Sequence, residues 1–69
     1  MQNNIGFKSG DCVIVIINGS DLNGEVGYIT SYNSLFKDYT IKMNNQTLPY
    51  KLYYFTDREL ELVLEEIIP

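Results

Sequence analysis

The chain has 69 residues, no histidine and a single cysteine, and its formal net charge is −4. This length allows one domain with a thin core, so we expect residues 1–69 to form a single unit. The chain can build neither a histidine acid–base pair, nor a zinc site of two cysteines and two histidines, nor an internal disulfide. We therefore expect no enzyme activity, no catalytic residues, no metal site and no cofactor.

The negative charge is concentrated towards the C-terminus. Residues 57–69 contain one arginine and five carboxylates, which account for the whole net charge of −4. Residues 1–56 are neutral overall and contain the four lysines. Nucleic-acid binding through phosphates needs clustered lysine or arginine. The charge balance therefore disfavours a nucleic-acid partner without excluding one.

No segment predicts a membrane span or an export signal. The longest apolar run, residues 12–17, is far shorter than the roughly 20 residues that cross a bilayer. The first residues, Met-Gln-Asn-Asn, lack the basic start and apolar stretch of a signal peptide. We expect a cytoplasmic protein without a membrane partner, in which Cys12 is a reduced thiol.

The first two predicted strands are separated by a glycine-rich loop. Residues 12–17 are β-branched at every position except Cys12, and they end at an Asn-Gly turn. Residues 19–27 form the loop, and residues 26–32 form the second strand. Gly27 lies inside this strand, where a glycine indicates a bulge or a close backbone approach.

Two further strands follow. Residues 38–43 alternate, with Tyr39, Ile41 and Met43 on one face. Residues 48–55 form a fourth strand, with a proline near its start, where the missing N–H is tolerated.

The last segment allows two interpretations. Thr56 and Glu59 have the spacing of a capping box, and the apolar positions that follow fit either a helix or a strand. The first interpretation is four strands plus a C-terminal helix over 57–67. The second, which we favour, is a helical turn at 57–59 followed by a fifth strand that closes a small all-β barrel.

Four short motifs occur in order along residues 8–65. They are Gly10-Asp11-x-Val13-x-Val15, Gly24-x-x-Gly27-x-Ile29, Tyr39-x-Ile41 and Tyr54-Phe55-x-x-x-Glu59-Leu60-Glu61. Together they resemble SH3-like barrels of the KOW type. The resemblance implies five strands, a glycine-rich loop before the second strand, and one helical turn before the last short strand. The loop of this chain lacks the lysine and arginine common in KOW proteins that contact RNA.

Six tyrosines lie between residues 28 and 54, among three lysines. Tyrosine is enriched at protein interfaces, and aromatic rings beside cations also suit stacking on bases. We expect Tyr39, Tyr54 and Phe55 to be core residues. The candidate partner-binding residues lie on predicted surface positions, and Asp21 and Glu25 belong to the glycine-rich loop, a type of segment that often carries recognition. The full set is Tyr32, Tyr50, Tyr53, Asp21, Glu25, Lys37, Lys42 and Lys51.

The first strand also has an apolar outer face. Alternation places Val13, Val15 and residue 17 towards the core and Ile14 and Ile16 outwards. Residues near either end of the chain, such as Phe7, could cover this face. Alternatively, Ile14 and Ile16 form an apolar docking face for a partner or a second copy.

These features predict a non-catalytic protein-binding module that is monomeric or weakly dimeric. The bias towards isoleucine, asparagine, lysine and tyrosine is typical of an AT-rich genome. A short single domain of this kind resembles the small accessory or inhibitory proteins of phages and mobile elements, which act on a host protein. One alternative is a KOW-like nucleic-acid-binding domain that uses Lys37, Lys42 and Lys51. Another is a small structural subunit that docks on a larger complex through Ile14 and Ile16.

Overall fold

The computed structural model describes residues 6–63, which form one antiparallel sheet of five strands. The strands are β1 (Cys12–Val15), β2 (Val26–Asn33), β3 (Asp38–Met43), β4 (Leu52–Phe55) and β5 (Leu60–Leu62), with a 3₁₀ turn at Asp57–Glu59. The strand order is β4-β3-β2-β1-β5, so the last strand returns to pair with the first. The predicted all-β fold of five strands with one helical turn at 57–59 is confirmed.

The 3₁₀ turn directs the chain from β4 into β5. The backbone N–H of Thr56 donates to Oε1 of Glu59 at 2.8 Å, and the Glu59 N–H donates to the Thr56 carbonyl at 3.0 Å. Beyond the turn, Leu60 pairs with Val15 and Leu62 with Val13. The alternative helix over 57–67 is therefore wrong, because its central residues lie in a strand.

The core lies on one face of the sheet and receives side chains from every strand. Its buried members are Val13, Val15, Ile29, Tyr39, Ile41, Met43, Phe55 and Leu60. Phe55 comes from one edge strand and Leu60 from the other, so the sheet curls until its two edges share one core. Burying side chains of this size contributes about 1.5–3 kcal/mol each.

Phe7 closes part of this core from outside the sheet. Its ring meets that of Tyr39 edge-on at a centroid distance of 5.3 Å, and its N–H donates to the Tyr39 hydroxyl at 3.1 Å. The Tyr39 hydroxyl thus has a partner although its ring is buried, which is the usual arrangement for a core tyrosine.

Gly27 lies where two strands approach closely. A Cβ at this position would lie 2.6 Å from the Lys42 carbonyl oxygen and 2.7 Å from Cγ2 of Ile41. Of the two roles predicted for Gly27, the close backbone approach is the correct one. The irregularity in β2 lies further on, between Ile29 and Ser31.

Two strands are shorter than predicted because side chains and loops take over their hydrogen bonds. At the end of β1, the N–H of Ile17 donates to Oδ1 of Asn23 at 2.8 Å instead of to a neighbouring strand. Residues 48–51, predicted as the start of the fourth strand, belong to the connection between β3 and β4. The strand begins only at Leu52.

Candidate functional site

The connection between β3 and β4 is an ordered loop organised by Asn45. Its Oδ1 accepts hydrogen bonds from the N–H of Thr47 at 3.0 Å and from the Thr47 hydroxyl at 2.6 Å. The loop is closed at its base, where the N–H of Met43 donates to the Lys51 carbonyl at 3.0 Å. Residues 44–51 therefore present their side chains in a defined arrangement.

This loop forms a groove of about 350 Å³. Its lining combines two exposed lysines, one tyrosine, two amides and an apolar floor. The lining residues are Lys42, Met43, Asn45, Gln46, Leu48, Tyr50 and Lys51. Three of the predicted partner-binding residues, Lys42, Tyr50 and Lys51, thus line one concave surface.

Tyr53 lies beside the groove and connects it to the core. Its ring meets that of Tyr50 edge-on at 6.0 Å and lies nearly parallel to that of Phe55 at 6.2 Å. Tyr53 is half-buried and packs against the core cluster. It supports Tyr50 from behind and does not form an exposed contact surface of its own.

The predicted positions of Tyr53 and Tyr54 were wrong. Tyr53 pairs with Ile41 and faces the core, whereas Tyr54 pairs with Thr40 on the outer face and is 64% exposed. Adjacent residues of a strand point to opposite faces, so Tyr54 and Phe55 could not both be core residues. The core predictions for Tyr39 and Phe55 are confirmed.

The glycine-rich loop between β1 and β2 lies at the same end of the sheet as the groove. Nδ2 of Asn45 donates to Oε2 of Glu25 at 3.0 Å, and the Asn44 N–H donates to the Val26 carbonyl at 2.9 Å. Glu25 is therefore half-buried and connects two loops, while Asp21 is exposed. Of these two loop carboxylates, Asp21 is the more exposed, and the partner-binding role of both stays a prediction.

The outer face of the sheet carries an aromatic row that sequence reasoning missed. Tyr28 pairs with Lys42, and Lys42 pairs with Leu52 on the next strand, so these side chains are neighbours across the sheet. Tyr28, Leu52 and Tyr54 are all exposed. Strict alternation from the buried Ile29 and Phe55 was the signal that could have placed them outwards.

Lys37 and Tyr32 lie at the opposite end of the sheet from the groove. Strand β2 has eight residues, which corresponds to a span of roughly 26 Å. Lys37 belongs to the hairpin between β2 and β3 and has a positive φ of 59°. Tyr32 pairs with Tyr39 across that hairpin, with ring centroids 4.7 Å apart, and remains half-exposed. The predicted site is therefore divided between two ends of the molecule.

Ile14 and Ile16 have unlike surroundings. Ile14 pairs with Val26 on one side and Glu61 on the other and is half-buried. Ile16 lies beyond the end of β1, donates its N–H to the Glu59 carbonyl at 2.9 Å and is 44% exposed. The outward direction predicted for both residues is confirmed, and their role in docking stays a prediction. Of the predicted covers of this face, Phe7 packs against Tyr39 in the core instead, and the residues after 63 lie outside the described residues.

Across residues 6–63, no three histidine, cysteine or acidic side chains form a group that could hold a metal ion. No helix within the same residues is long and apolar enough to cross a membrane.

Comparison with known proteins shows the fold of this chain. No protein-family model matches the sequence, and no curated protein matches it. A similar solved structure is the crystal structure of the MjSpt4:Spt5 complex in conformation B, with a TM-score of 0.75 and 15% sequence identity. The match covers 94% of this chain and 42% of the matched chain. At this identity the likeness concerns the fold alone, and it supports an SH3-like fold of the KOW type.

Proposed function

We propose that this protein is a non-catalytic module that binds another protein, and that its groove receives an acidic segment of that partner. The observation that carries the proposal is the convergence of Lys42, Lys51 and Tyr50 on one concave surface. The similar solved structure is that of a complex, MjSpt4:Spt5, which supports a protein as the partner. The composition of the chain supports an accessory role in a phage or mobile element, in which the partner would be a host protein.

The chemistry of the groove matches carboxylates next to an apolar side chain. Lys42 and Lys51 supply positive charge, and no carboxylate lines the groove in the described structure. The nearby carboxylate of Glu25 already accepts a hydrogen bond from Asn45. Leu48 and Tyr50 provide apolar contact for a side chain between the acidic residues of the partner. With lysines, amides and a phenol but no paired base and nucleophile, this lining suits binding better than catalysis.

The interaction energies that the groove can supply are small, so it selects a partner without binding it tightly. Exposed ion pairs contribute about 0.2–1 kcal/mol each. Two such pairs and one tyrosine contact leave the affinity weak, and their main effect is on specificity and association rate. A second contact elsewhere on the module would therefore be needed for a stable complex.

The groove can be tested with a short synthetic peptide in which aspartates and glutamates surround one leucine. Its addition to the ¹⁵N-labelled protein should shift the amide resonances of residues 42–51. A double variant, Lys42→Glu with Lys51→Glu, should lose these shifts. The control is Lys37→Glu, which reverses the charge of one exposed lysine at the opposite end and should bind like the wild type. Shifts that are absent, or that map away from residues 42–51, would contradict the proposal.

The nucleic-acid alternative is tested with the same labelled protein. Lys42 lies between Tyr28 and Leu52 on the outer face, an arrangement that single-stranded bases could stack against. Oligothymidylate should produce no shifts if the partner is a protein. Binding of the oligonucleotide instead of the peptide would replace the proposed function. Its logarithmic affinity should then fall with the logarithm of salt by about 0.7 for each phosphate neutralised.

The structural-subunit alternative makes a different prediction about the isolated chain. A subunit that docks permanently through Ile14 and Ile16 should dimerise or aggregate when purified alone. Sedimentation of a monomer over a wide concentration range would contradict that alternative and favour a module that binds reversibly.

A further inference from the structure

The hairpin between β2 and β3 ends in two adjacent exposed apolar residues. Leu35 is 80% exposed and Phe36 is 70% exposed, more than any other large hydrophobic side chain of residues 6–63. Ser34, Leu35, Phe36 and Lys37 are referred to below as the hairpin tip. Burial of a leucine or phenylalanine is worth about 1.5–3 kcal/mol. The fold obtains almost none of this from Leu35 and Phe36, so they do not serve its core.

The hairpin tip is nevertheless well ordered by hydrogen bonds. Oδ1 of Asn33 accepts from the N–H of Leu35 at 2.9 Å and from the N–H of Phe36 at 3.2 Å. The N–H of Lys37 donates to the Asn33 carbonyl at 2.7 Å. The positive φ of Lys37 is a conformation that costs a non-glycine residue on the order of 1 kcal/mol. The backbone that carries both apolar side chains is thereby held in a defined conformation, which lowers the backbone entropy lost when they bind.

We infer that the hairpin tip is an apolar anchor that inserts into a concave apolar cleft on a folded protein partner. This inference rests on the proposed protein-binding function, because it takes the partner to be a protein, but it does not depend on the groove. The tip and the groove lie at opposite ends of β2 and β3. One partner could therefore contact both only by extending along the sheet.

The size of the anchor argues against a second copy of this chain as the occupant. Even an aromatic side chain buries only roughly 150–250 Å², so the two residues supply far less than the roughly 800 Å² per partner of a stable interface. Two projecting tips would also contact each other poorly. The groove of this chain combines its apolar floor with two lysines and two amides, so it offers no purely apolar cleft for both side chains. A cleft on another protein surrounds both side chains and recruits the nearby half-exposed Tyr32.

The charges around the tip argue against a membrane surface. Lys37 is followed directly by Asp38, and Ser34 is neutral. Attachment to anionic lipid needs several lysines or arginines close together. One lysine beside one aspartate matches the mixed polar rim that surrounds the apolar centre of a protein interface.

Photo-crosslinking from the tip, followed by reconstitution, tests the inference. The full chain carrying benzoylphenylalanine in place of Phe36 is expressed in cells. The partner protein that crosslinks to it is then produced separately in pure form. Calorimetry compares its binding to the wild type and to Phe36→Ser and Leu35→Ser. Each serine variant should raise the Kd by roughly 30-fold or more, the effect of removing a central anchor. Their melting temperatures should match the wild type, because neither side chain is buried in the fold.

Two further variants separate the tip from the groove and from general effects. Asn33→Ala keeps both apolar side chains but removes the acceptor that orders them, so it should raise the Kd by a smaller factor, roughly 5-fold. Lys42→Glu should leave unchanged the factor by which Phe36→Ser raises the Kd. If Phe36→Ser weakens binding and Lys42→Glu does not, the tip is supported and the groove is contradicted. If Lys42→Glu weakens binding and Phe36→Ser does not, the inference about the tip is overturned and the proposed groove is not.

Three other results would overturn the inference. One is a failure of the partner experiment, either because no protein crosslinks to the tip or because the Kd of the reconstituted complex is unchanged by Phe36→Ser. Another is sedimentation with phosphatidylserine–phosphatidylcholine vesicles that is lost in Phe36→Ser, which would assign the tip to a lipid surface. The third is a concentration-dependent dimer of the wild type that dissociates in the same variant.

Discussion

The two ends of the sheet are organised by the same residue type but present opposite chemistry. At one end, Asn45 orders the loop after β3 and joins it to Glu25, beside a groove lined by lysines. At the other end, Asn33 orders a hairpin tip whose apolar side chains are Leu35 and Phe36. A thin core thus supports two proposed recognition surfaces, because the ordering of each depends on local hydrogen bonds instead of core packing. The charged groups at the groove end favour selection of a partner, and the exposed apolar area at the tip end favours affinity for it.

The largest effect should come from the residue on which both ends depend. Ile41 is fully buried and lies near the middle of β3, between the groove and the hairpin tip. Ile41→Ala should lower the free energy of unfolding by about 2–5 kcal/mol. Urea denaturation followed by circular dichroism measures this loss. In a domain this small it would leave much of the chain unfolded and disable both surfaces together.

The control for Ile41→Ala is Tyr54→Ala, which removes a larger side chain from the outer face of the neighbouring strand. Because Tyr54 is mostly exposed, its loss should cost less than about 1 kcal/mol. Equal losses in the two variants would contradict the assignment of the core to one face of the sheet.

A smaller effect is expected at the groove end. Asn45→Ala removes the hydrogen bonds to Thr47 and to Glu25, and it should lower the free energy of unfolding by about 1–2 kcal/mol. Asn45→Asp keeps the acceptor for Thr47 but places a second carboxylate beside Glu25. Hydrogen exchange of the Thr47 amide should therefore accelerate in the alanine variant and much less in the aspartate variant. If the Thr47 amide exchanges at the wild-type rate in both variants, Asn45 does not order the loop.

At the tip end the corresponding substitution should cost less. Asn33→Ala removes acceptor contacts that lie in solvent and link no second loop, so we expect a loss of about 0.5–1 kcal/mol in the free energy of unfolding. Asn33→Asp, which keeps the acceptor, should restore most of it. Urea denaturation of the three proteins measures these differences. A loss in Asn33→Ala that exceeds the loss in Asn45→Ala would reverse the proposed difference between the two ends.

The smallest effect is expected at Lys37. Lys37→Gly relieves the cost of a positive φ, on the order of 1 kcal/mol, but adds a comparable cost of about 0.5–1 kcal/mol through the chain entropy of the unfolded state. The free energy of unfolding should change by less than about 0.5 kcal/mol, as measured by thermal denaturation. Lys37→Ala removes the same side chain without relieving the backbone and should be less stable than the glycine variant. The opposite ranking would contradict the left-handed conformation at this position.

Residues 38–43 show what could be predicted locally. Their alternation identified both the bounds of β3 and its buried face, because a strand that lies half in a core has a period of two residues. The 3₁₀ turn at Asp57–Glu59 was predicted from the capping pattern and from the need for a fifth strand. The convergence of Lys42, Tyr50 and Lys51 was partly predictable too, since all three lie close to one loop.

Tyr53, Tyr54 and the hairpin tip show where local reasoning failed. A run of Leu-Tyr-Tyr-Phe has no clear period, so its inward face is decided by the pairing of Tyr53 with Ile41 on β3. Leu35 and Phe36 are residue types that are usually buried in a core, and they stay exposed because no element of residues 6–63 covers the tip.

The sequence by itself determined the number of strands, the alternation of β3 and the concentration of negative charge in the last residues, because these follow from neighbours along the chain. The tertiary structure decided which tyrosines face outwards, that Glu25 joins two loops, and that the predicted site divides between the groove and the opposite end of the sheet. These features depend on strand register and on contacts between distant residues. A shift of one residue in register turns every side chain of a strand to the other face.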